Sequence, residues 1–145
     1  MARAVLAFAT LAVLIVVAWP HAAAEHEVRY RYTVLGYVKD ARGMPLEGRP
    51  VQVVRDKTGL AYHGETDEQG LYLVLTRLGD ESNGETLTLT IGSTRTRITV
   101  RIDPENHSDE RGTRVDLDGT RWRERASWFR STLARILGPA HETKH

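Results

Sequence analysis

The sequence predicts an all-β sandwich of seven strands with one C-terminal amphipathic α-helix. Three observations lead to this fold class. Apolar and polar residues alternate in short runs, turn residues separate these runs at intervals of roughly 8–12 residues, and the end of the chain changes to helical spacing. Alternation with a period of two places one face of each strand in a core and the other in water, which is typical of antiparallel sheets.

The predicted strands follow one another in chain order. In the first, residues 28–38, one face consists of Val28, Tyr30, Tyr32 and Val34, and arginine and threonine form the other. A loop rich in Gly, Pro and Asp follows. The other six strands are predicted at residues 51–55, 60–66, 71–76, 85–91, 95–102 and 113–118. A Gly-Ser-Thr turn joins the fifth and sixth of these strands into a hairpin.

The turn before the fourth strand contains two adjacent carboxylates, Asp67 and Glu68. They could form a catalytic or metal-binding pair, but the turn gives each residue a structural role. The Asp67 carboxylate can accept a hydrogen bond from the backbone two residues on, and Gly70 can take the left-handed conformation that closes a short hairpin loop. The stretch therefore predicts a turn that sets strand register.

Residues before the first strand predict a cleaved signal peptide. Arg3 is followed by a 16-residue apolar stretch, and Ala22 and Ala24 occupy the −3 and −1 positions of an A-x-A-like cleavage site. The apolar stretch is shorter than the roughly 20 residues that a spanning helix needs, which disfavours an uncleaved anchor. We therefore expect cleavage near Ala24 and a periplasmic or secreted protein. The chain has no cysteine, so it has no disulfide and no thiolate metal site.

Two segments resemble the carboxypeptidase regulatory-like family. In the first, a strand ending in Gly-x-Val precedes the pattern D-x-x-G-x-P-L-x-G, whose residues here are Asp40, Gly43, Pro45, Leu46 and Gly48. In the second, a Thr-Asp-x-x-Gly-x-Tyr turn enters the next strand, with Thr66, Asp67, Gly70 and Tyr72. The resemblance covers about residues 28–102.

This resemblance implies a transthyretin-like Greek-key sandwich. The family is an accessory module found beside many activities, and its motif residues are structural, so the resemblance implies no catalytic residue. A related hydroxyisourate hydrolase ends in a Tyr-Arg-Gly-Ser signature, which this chain lacks. A small exported hydrolase of this transthyretin-related type stays an alternative that a cluster of His63 with an arginine in a cleft would support.

Residues 121–137 predict an amphipathic helix, which Gly138 and Pro139 end. Six apolar residues recur at helical spacing and lie within about 100° of one another. They are Trp122, Ala126, Phe129, Leu133, Ile136 and Leu137. Residues 120–145 hold six basic and two acidic side chains, whereas residues 25–119 hold 13 basic and 17 acidic ones. The acidic body thus carries a basic tail.

Trp128 lies outside the apolar stripe, between Arg121, Arg125 and Arg135 on a helical wheel. We assign these four residues to a partner-binding surface, because exposed Trp and Arg side chains are typical of protein interfaces. Two alternatives stay open. The helix can fold back over the sandwich with Trp128 beneath arginine side chains, or it can bind an anionic membrane surface. The expected partner is another periplasmic or membrane protein.

The sequence offers few groups for catalysis or metal binding. None of its five serines lies in a G-x-S-x-G motif. His141 and His145 have H-x-x-x-H spacing, but they follow Gly138 and Pro139, which end the predicted helix, so that helix presents no pair of histidines on one face. His26 is the candidate metal ligand, because cleavage near Ala24 would place it beside a free amino group that could help to bind copper. We expect no cofactor, no enzymatic activity and no nucleic-acid binding, with a copper-handling protein as an alternative.

The sequence thus divides into three predicted segments. Residues 1–24 are a signal peptide, residues 25–119 a carboxypeptidase regulatory-like β-sandwich, and residues 120–145 a basic amphipathic helix with a polar tail. The predicted function is that of an exported, non-enzymatic binding or adaptor module. In such a module the sandwich is the scaffold and the helix contacts a partner or a membrane surface.

Overall fold

A computed structural model describes residues 29–138 of the chain. These residues form eight strands, two short 3-10 turns and one α-helix. The strands are β1 Tyr30–Lys39, β2 Pro50–Arg55, β3 Leu60–Glu65, β4 Leu71–Leu78, β5 Thr86–Ile91, β6 Thr94–Thr99, β7 Arg111–Asp118 and β8 Arg121–Glu124. The 3-10 turns are Asp80–Ser82 and Ala126–Trp128, and the helix α1 is Phe129–Leu137. No helix within the described range is long and apolar enough to cross a membrane.

The strands form two four-stranded sheets. The first has the order β4-β1-β7-β8, and the second has the order β3-β2-β5-β6. Strands β1 and β7 run parallel, and the other neighbouring strands run antiparallel. Three hairpins (β2–β3, β5–β6 and β7–β8) stay within one sheet, while the remaining connections pass from one sheet to the other.

One hydrophobic core lies between the two sheets. The first sheet contributes Tyr32, Val34 and Val74, and the second contributes Val53 and Leu89, all of them buried. Such side chains alternate along each strand with residues of the outer faces, as the period of two requires. The predicted all-β architecture with a C-terminal helix is therefore correct in its coarse outline.

The turn between β3 and β4 has the predicted local geometry at Asp67 and Gly70, but it is not the predicted hairpin, because β3 and β4 lie in different sheets and do not pair. The Asp67 carboxylate accepts hydrogen bonds from the backbone N–H groups of Gln69 at 2.8 Å and Leu71 at 2.9 Å. Gly70 has a φ of +76° and lies against the backbone of Val38, where a Cβ would be 2.4 Å from the carbonyl oxygen. Asp67 thus has a structural role, and a side chain at position 70 would separate this turn from β1.

Two further predictions are wrong in detail. The described residues form eight strands rather than seven, and α1 begins at Phe129 rather than at residue 121. The reason is the same for both, because residues Arg121–Glu124 pair with β7 as strand β8 instead of starting the helix. Trp122, which the helical wheel places on the apolar stripe, packs against the core between the sheets. The predicted boundary after residue 119 falls at the turn of the β7–β8 hairpin.

Candidate interaction surface

Helix α1 packs on the outer face of the first sheet, the face directed away from the shared core. Phe129 and Leu133 are buried there against Leu35, in a small cluster separate from the main core. Gly112 on β7 leaves the necessary space, since a Cβ at this position would lie 2.6 Å from Cζ of Phe129. The apolar stripe of the helix therefore folds back over the sheet, which was one of the two alternatives to binding a partner.

Trp128 directly precedes the helix, and 47% of its surface is exposed. The guanidinium carbon of Arg125 lies 4.4 Å from the centre of the indole ring, and that of Arg114 lies 5.3 Å from it. Both distances are within the range of cation–π attraction. The ring thus stays at the surface, and two arginines hold it in position.

A network of charged and polar groups lies beneath Trp128. The Arg114 guanidinium donates to both carboxylate oxygens of Asp116 at 3.0–3.2 Å, and its Nη1 donates to Oγ1 of Thr132 at 2.9 Å. The Thr132 hydroxyl in turn donates to the Trp128 carbonyl at 2.7 Å, and Asp116 accepts the backbone N–H of Tyr37 at 3.0 Å. This network connects β1, β7 and α1, so it fixes the backbone that carries Trp128.

Cross-strand pairing arranges the outer-face residues beside the helix in rows. Lys39 pairs with Asp118, which pairs with Arg121, and Asp116 pairs with Arg123 in the adjacent row. The side chains of this area, which we name the Trp128 face, include six cations but only two carboxylates. They are Tyr37, Lys39, Arg114, Asp116, Asp118, Arg121, Arg123, Arg125, Trp128 and Arg135. The face is therefore strongly basic.

Four of these cations have no carboxylate partner among residues 29–138: Lys39, Arg121, Arg123 and Arg135. By contrast, Asp116 is in ion pairs with both Arg114 and Arg125, and all three side chains are at least partly buried. The buried charges are thus compensated, and the uncompensated positive charge of this face lies at the surface.

Two adjacent clefts lie along the helix, and both are bordered by Tyr37 and Arg135. One has a volume of about 340 Å³ and is lined by Tyr37, Lys39, Arg114, Trp128, Ser131 and Arg135. The other, of about 530 Å³, is lined by Tyr37, Asp67, Glu68, Gln69, Leu71, Arg135 and Ile136. The first combines aromatic rings with cations, which suits a negatively charged group attached to an apolar one.

The structure brings together three of the four predicted partner-binding residues. Arg125 contacts the Trp128 ring, and Arg135 shares a cleft with Trp128. Arg121 belongs to the same face but lies on β8, in the row of Lys39. Tyr37 and Arg114 are functional residues that were not predicted, although the alternation of Arg114 and Asp116 with apolar residues along β7 marks Arg114 as an outer-face residue.

The described histidines do not form a common site. His63 is exposed on β3, while His107 lies in the connection between β6 and β7, where its Nε2 is 2.8 Å from Oδ2 of Asp80. Between residues 29 and 138, no group of three or more His, Cys, Asp or Glu side chains could hold a metal ion. His26 and the predicted signal peptide lie outside the described residues.

Asp80 is the centre of a second charged cluster. Its Oδ1 lies 2.8 Å from Nη2 of the buried Arg111, and the ring of Tyr30 stacks on His107 with 4.6 Å between centroids. The hydrogen bond from His107 holds the pKa of Asp80 below its ordinary value of 3.8, and the ion pair with Arg111 acts in the same direction. This cluster attaches the β6–β7 connection to the 3-10 turn after β4.

No family model and no curated protein sequence matches the chain. Solved structures similar to it include chlorocatechol 1,2-dioxygenase from Pseudomonas putida, with 13% identity, a TM-score of 0.45 and coverage of 62% of this chain and 60% of the enzyme. The dioxygenase domain of a dioxygenase–carbohydrate-binding fusion from Streptomyces sp. SirexAA-E has 16% identity, a TM-score of 0.43 and coverage of 69% and 79%. Catechol 1,2-dioxygenase from Acinetobacter radioresistens has 16% identity, a TM-score of 0.42 and coverage of 65% and 45%.

These similarities correct one expectation. The chain was expected not to be an enzyme, and this expectation is contradicted, because the three similar structures named above are dioxygenases. The chain spans 60% of the Pseudomonas enzyme and 45% of the Acinetobacter enzyme. At TM-scores of 0.42–0.45 and identities of 13–16%, the similarity assigns no activity, substrate or metal to this chain.

Proposed function

We propose that the chain is an exported binding or adaptor module that contacts its partner through the Trp128 face. The observation that carries this proposal is the half-exposed Trp128, which a partly buried network holds in place in one cleft with Lys39 and Arg135, two cations without a carboxylate partner among residues 29–138. Ordering an aromatic side chain before binding lowers the entropic cost of association, and Trp, Tyr and Arg dominate binding energies at interfaces.

The same proposal places the chain in the carboxypeptidase regulatory-like family, with a transthyretin-like Greek-key sandwich. The combination of three hairpins with four crossings from sheet to sheet supports this assignment. The motif residue Asp40 also has a structural role here, because its carboxylate accepts the backbone N–H groups of Arg42 and Met44 at 2.8 and 2.9 Å. In an accessory module of this kind, the surface rather than the motif residues determines the function.

We further propose that the partner is a periplasmic or membrane protein. The basis is the pattern of a signal peptide in residues 1–24, with cleavage near Ala24. Mass spectrometry of the protein secreted or exported by a bacterial host measures this directly. A mature N-terminus near residue 25 is expected, and an intact N-terminus would contradict export by cleavage.

Capture of partners by cross-linking in periplasmic extracts tests the surface. We expect Trp128→Ala with Arg135→Glu to weaken binding of the captured protein roughly 30-fold, the loss of a hot-spot residue. Leu60→Ala with Arg97→Glu is the matched control, because Leu60 is 48% exposed and both residues lie in the other sheet. Equal capture by all variants would refute the proposal.

Co-sedimentation with phosphatidylglycerol vesicles separates a protein partner from an anionic membrane surface. If a protein is the partner, vesicles should not sediment the wild-type chain at physiological salt. If instead vesicles sediment it and Trp128→Ala prevents this, the Trp128 face binds lipid and the proposed protein partner is wrong.

A further inference from the structure

Strand β8 is an edge strand with free backbone groups. The N–H of Arg125 donates to the Arg114 carbonyl at 2.7 Å, which fixes the antiparallel pattern along β7 and β8. Arg121 and Arg123 then also bond to β7, while the N–H and C=O groups of Trp122 and Glu124 point away from it. Among the strands of residues 29–138, none lies beyond β8 in the sheet order. An extended segment can therefore pair with these backbone groups.

The side chains of β8 define what such a segment would contain. Arg121 and Arg123 point to the outer face, are exposed and have no carboxylate partner within the described range. Trp122 points inward between them and is only partly buried against the core. An added strand would place its own side chains opposite these three. Carboxylates opposite the arginines and an apolar side chain opposite Trp122 would complement them.

A second copy of this chain does not fit this edge. Pairing β8 with β8 would bring the arginines of one copy opposite those of the other, and like charges at opposite positions destabilise a sheet. Arg121 and Arg123 thus disfavour pairing between two copies of this edge, and the same two charges favour pairing with an acidic segment.

We propose that β8 accepts an extended segment of a partner protein as a ninth strand, with acidic residues on both sides of an apolar one. This inference rests on the proposed function, because it identifies the part of the Trp128 face to which the partner's backbone binds. The acidic side chains would lie over Arg121 and Arg123, beside Trp128. The apolar one would complete the burial of Trp122.

The other edges of the sheets are less suitable. The hydroxyl of Tyr62 on β3 donates to the Arg77 carbonyl of β4 at 3.4 Å, so these two edges lie against each other. Strand β6 is also an edge strand and carries Arg95 and Arg97, but it has no aromatic residue and belongs to the sheet without the Trp128 face. Strand β6 therefore serves as a control for the effect of positive charge on an edge strand that lacks an aromatic residue and the Trp128 face.

Titration with short synthetic peptides tests the proposal, with backbone amide NMR signals of the mature protein as the readout. A peptide that alternates glutamate and valine should bind saturably and shift the amide signals of Trp122 and Glu124. N-methylation of its valines, which blocks the bonds to β8, should weaken binding about tenfold. N-methylation of its glutamates should have little effect, because their N–H groups point to solvent.

Charge reversal gives the second arm. Arg121→Glu with Arg123→Glu should weaken binding of the glutamate peptide about tenfold and create binding of a lysine–valine peptide. Arg95→Glu with Arg97→Glu should leave the Trp122 and Glu124 shifts unchanged. The inference is overturned if the β6 variant loses binding instead, if both methylated peptides bind equally, or if the signals of β8 do not move.

The failures of the two proposals are distinguishable. If Trp128→Ala weakens partner capture while the peptide leaves β8 unperturbed, the binding surface stands and the ninth strand is wrong. If the peptide pairs with β8 while Trp128→Ala captures the partner as well as the wild type does, the strand stands and the role of the Trp128 face is wrong.

Discussion

Arg55 and Glu85 form an ion pair whose side chains are only 9% and 11% exposed. The guanidinium donates to both carboxylate oxygens, at 2.9 and 2.7 Å, and Nη2 also lies 3.2 Å from the Ser82 hydroxyl. Removing one partner of a buried pair leaves an uncompensated charge. We therefore expect Glu85→Ala to lower the free energy of unfolding by about 3–5 kcal/mol, measured by urea denaturation.

A double variant separates the charge from the packing. Arg55→Met with Glu85→Leu removes both charges and keeps most of the volume, so it should be much more stable than Glu85→Ala alone. If the double variant is the less stable of the two, the ion pair contributes more than the desolvation argument allows.

Acid should destabilise the fold through Asp80 and Glu85. The hydrogen bond from Arg55 holds the pKa of Glu85 below its ordinary value of 4.5, and that from His107 holds the pKa of Asp80 below 3.8. The unfolded chain then binds more protons than the folded one, so these groups stabilise the fold above their ordinary pKa values. This stability should decrease as the pH falls below about 4.5 and through the folded-state values. Urea denaturation at a series of pH values measures the slope.

His107→Gln provides the control for this pH dependence. Because His107 is the largest cause of the lowered pKa of Asp80, its replacement should flatten the acid limb of the stability curve. The contribution of Glu85 should persist. An unchanged slope in this variant would show that the Asp80–His107 contact does not contribute to acid stability.

At the level of elements, Gly112 determines whether α1 can lie on the sheet. A Cβ there would be 2.1 Å from the Thr33 carbonyl oxygen and 2.6 Å from the Phe129 ring. We expect Gly112→Ala to shift Trp128 fluorescence to longer wavelength and to lower the free energy of unfolding by about 1–3 kcal/mol, the usual cost of overpacking. Gly79→Ala is the matched control, because the atoms nearest to its Cβ would be those of the flexible Glu81 carboxylate. Equal effects in both variants would contradict this role of Gly112.

Local patterns predicted most of the elements, and tertiary contacts account for the errors. The alternation along β1 to β7 and the Asp67 turn depend on neighbouring residues, so the sequence alone sufficed. Residues Arg121–Glu124 fit both periods, since Trp122 lies on the apolar stripe of a helix and on the inner face of a strand. Pairing with β7 decides between them, and no local signal reports it.

Part of the candidate site was predictable from the helical wheel of residues 121–137. Arg121, Arg125, Trp128 and Arg135 lie off the apolar stripe of that wheel, although only Arg135 belongs to α1 in the structure. Tyr37 and Arg114 come from strands far away in sequence, and the surface they complete depends on which sheet α1 covers. The position of α1 depends on Gly112, which leaves space for Phe129, and on Leu35, which packs against the helix. These contacts join residues that are far apart in sequence, so no local pattern predicts them.

For the whole molecule, the question is whether the C-terminal part is a separable module. Strand β8 belongs to the first sheet and brings Trp122 to the core, whereas α1 is attached to the outside of that sheet. Two truncations distinguish these roles. A chain ending after Arg125 keeps all eight strands and loses α1, while a chain ending after Gly119 loses β8 as well.

We expect the chain that ends after Arg125 to fold with a free energy of unfolding lower by about 3–6 kcal/mol, because Phe129 and Leu133 no longer bury apolar surface. The chain that ends after Gly119 should show no cooperative transition in urea, monitored by circular dichroism. This truncation exposes the edge of β7, leaves Asp116 without Arg125 and removes Trp122 from the core. The free energy lost through these three changes exceeds the stability that remains in a domain of this size. If both chains unfold at the same urea concentration, β8 adds nothing to the fold, and residues 120–145 behave as the separate segment that composition suggested.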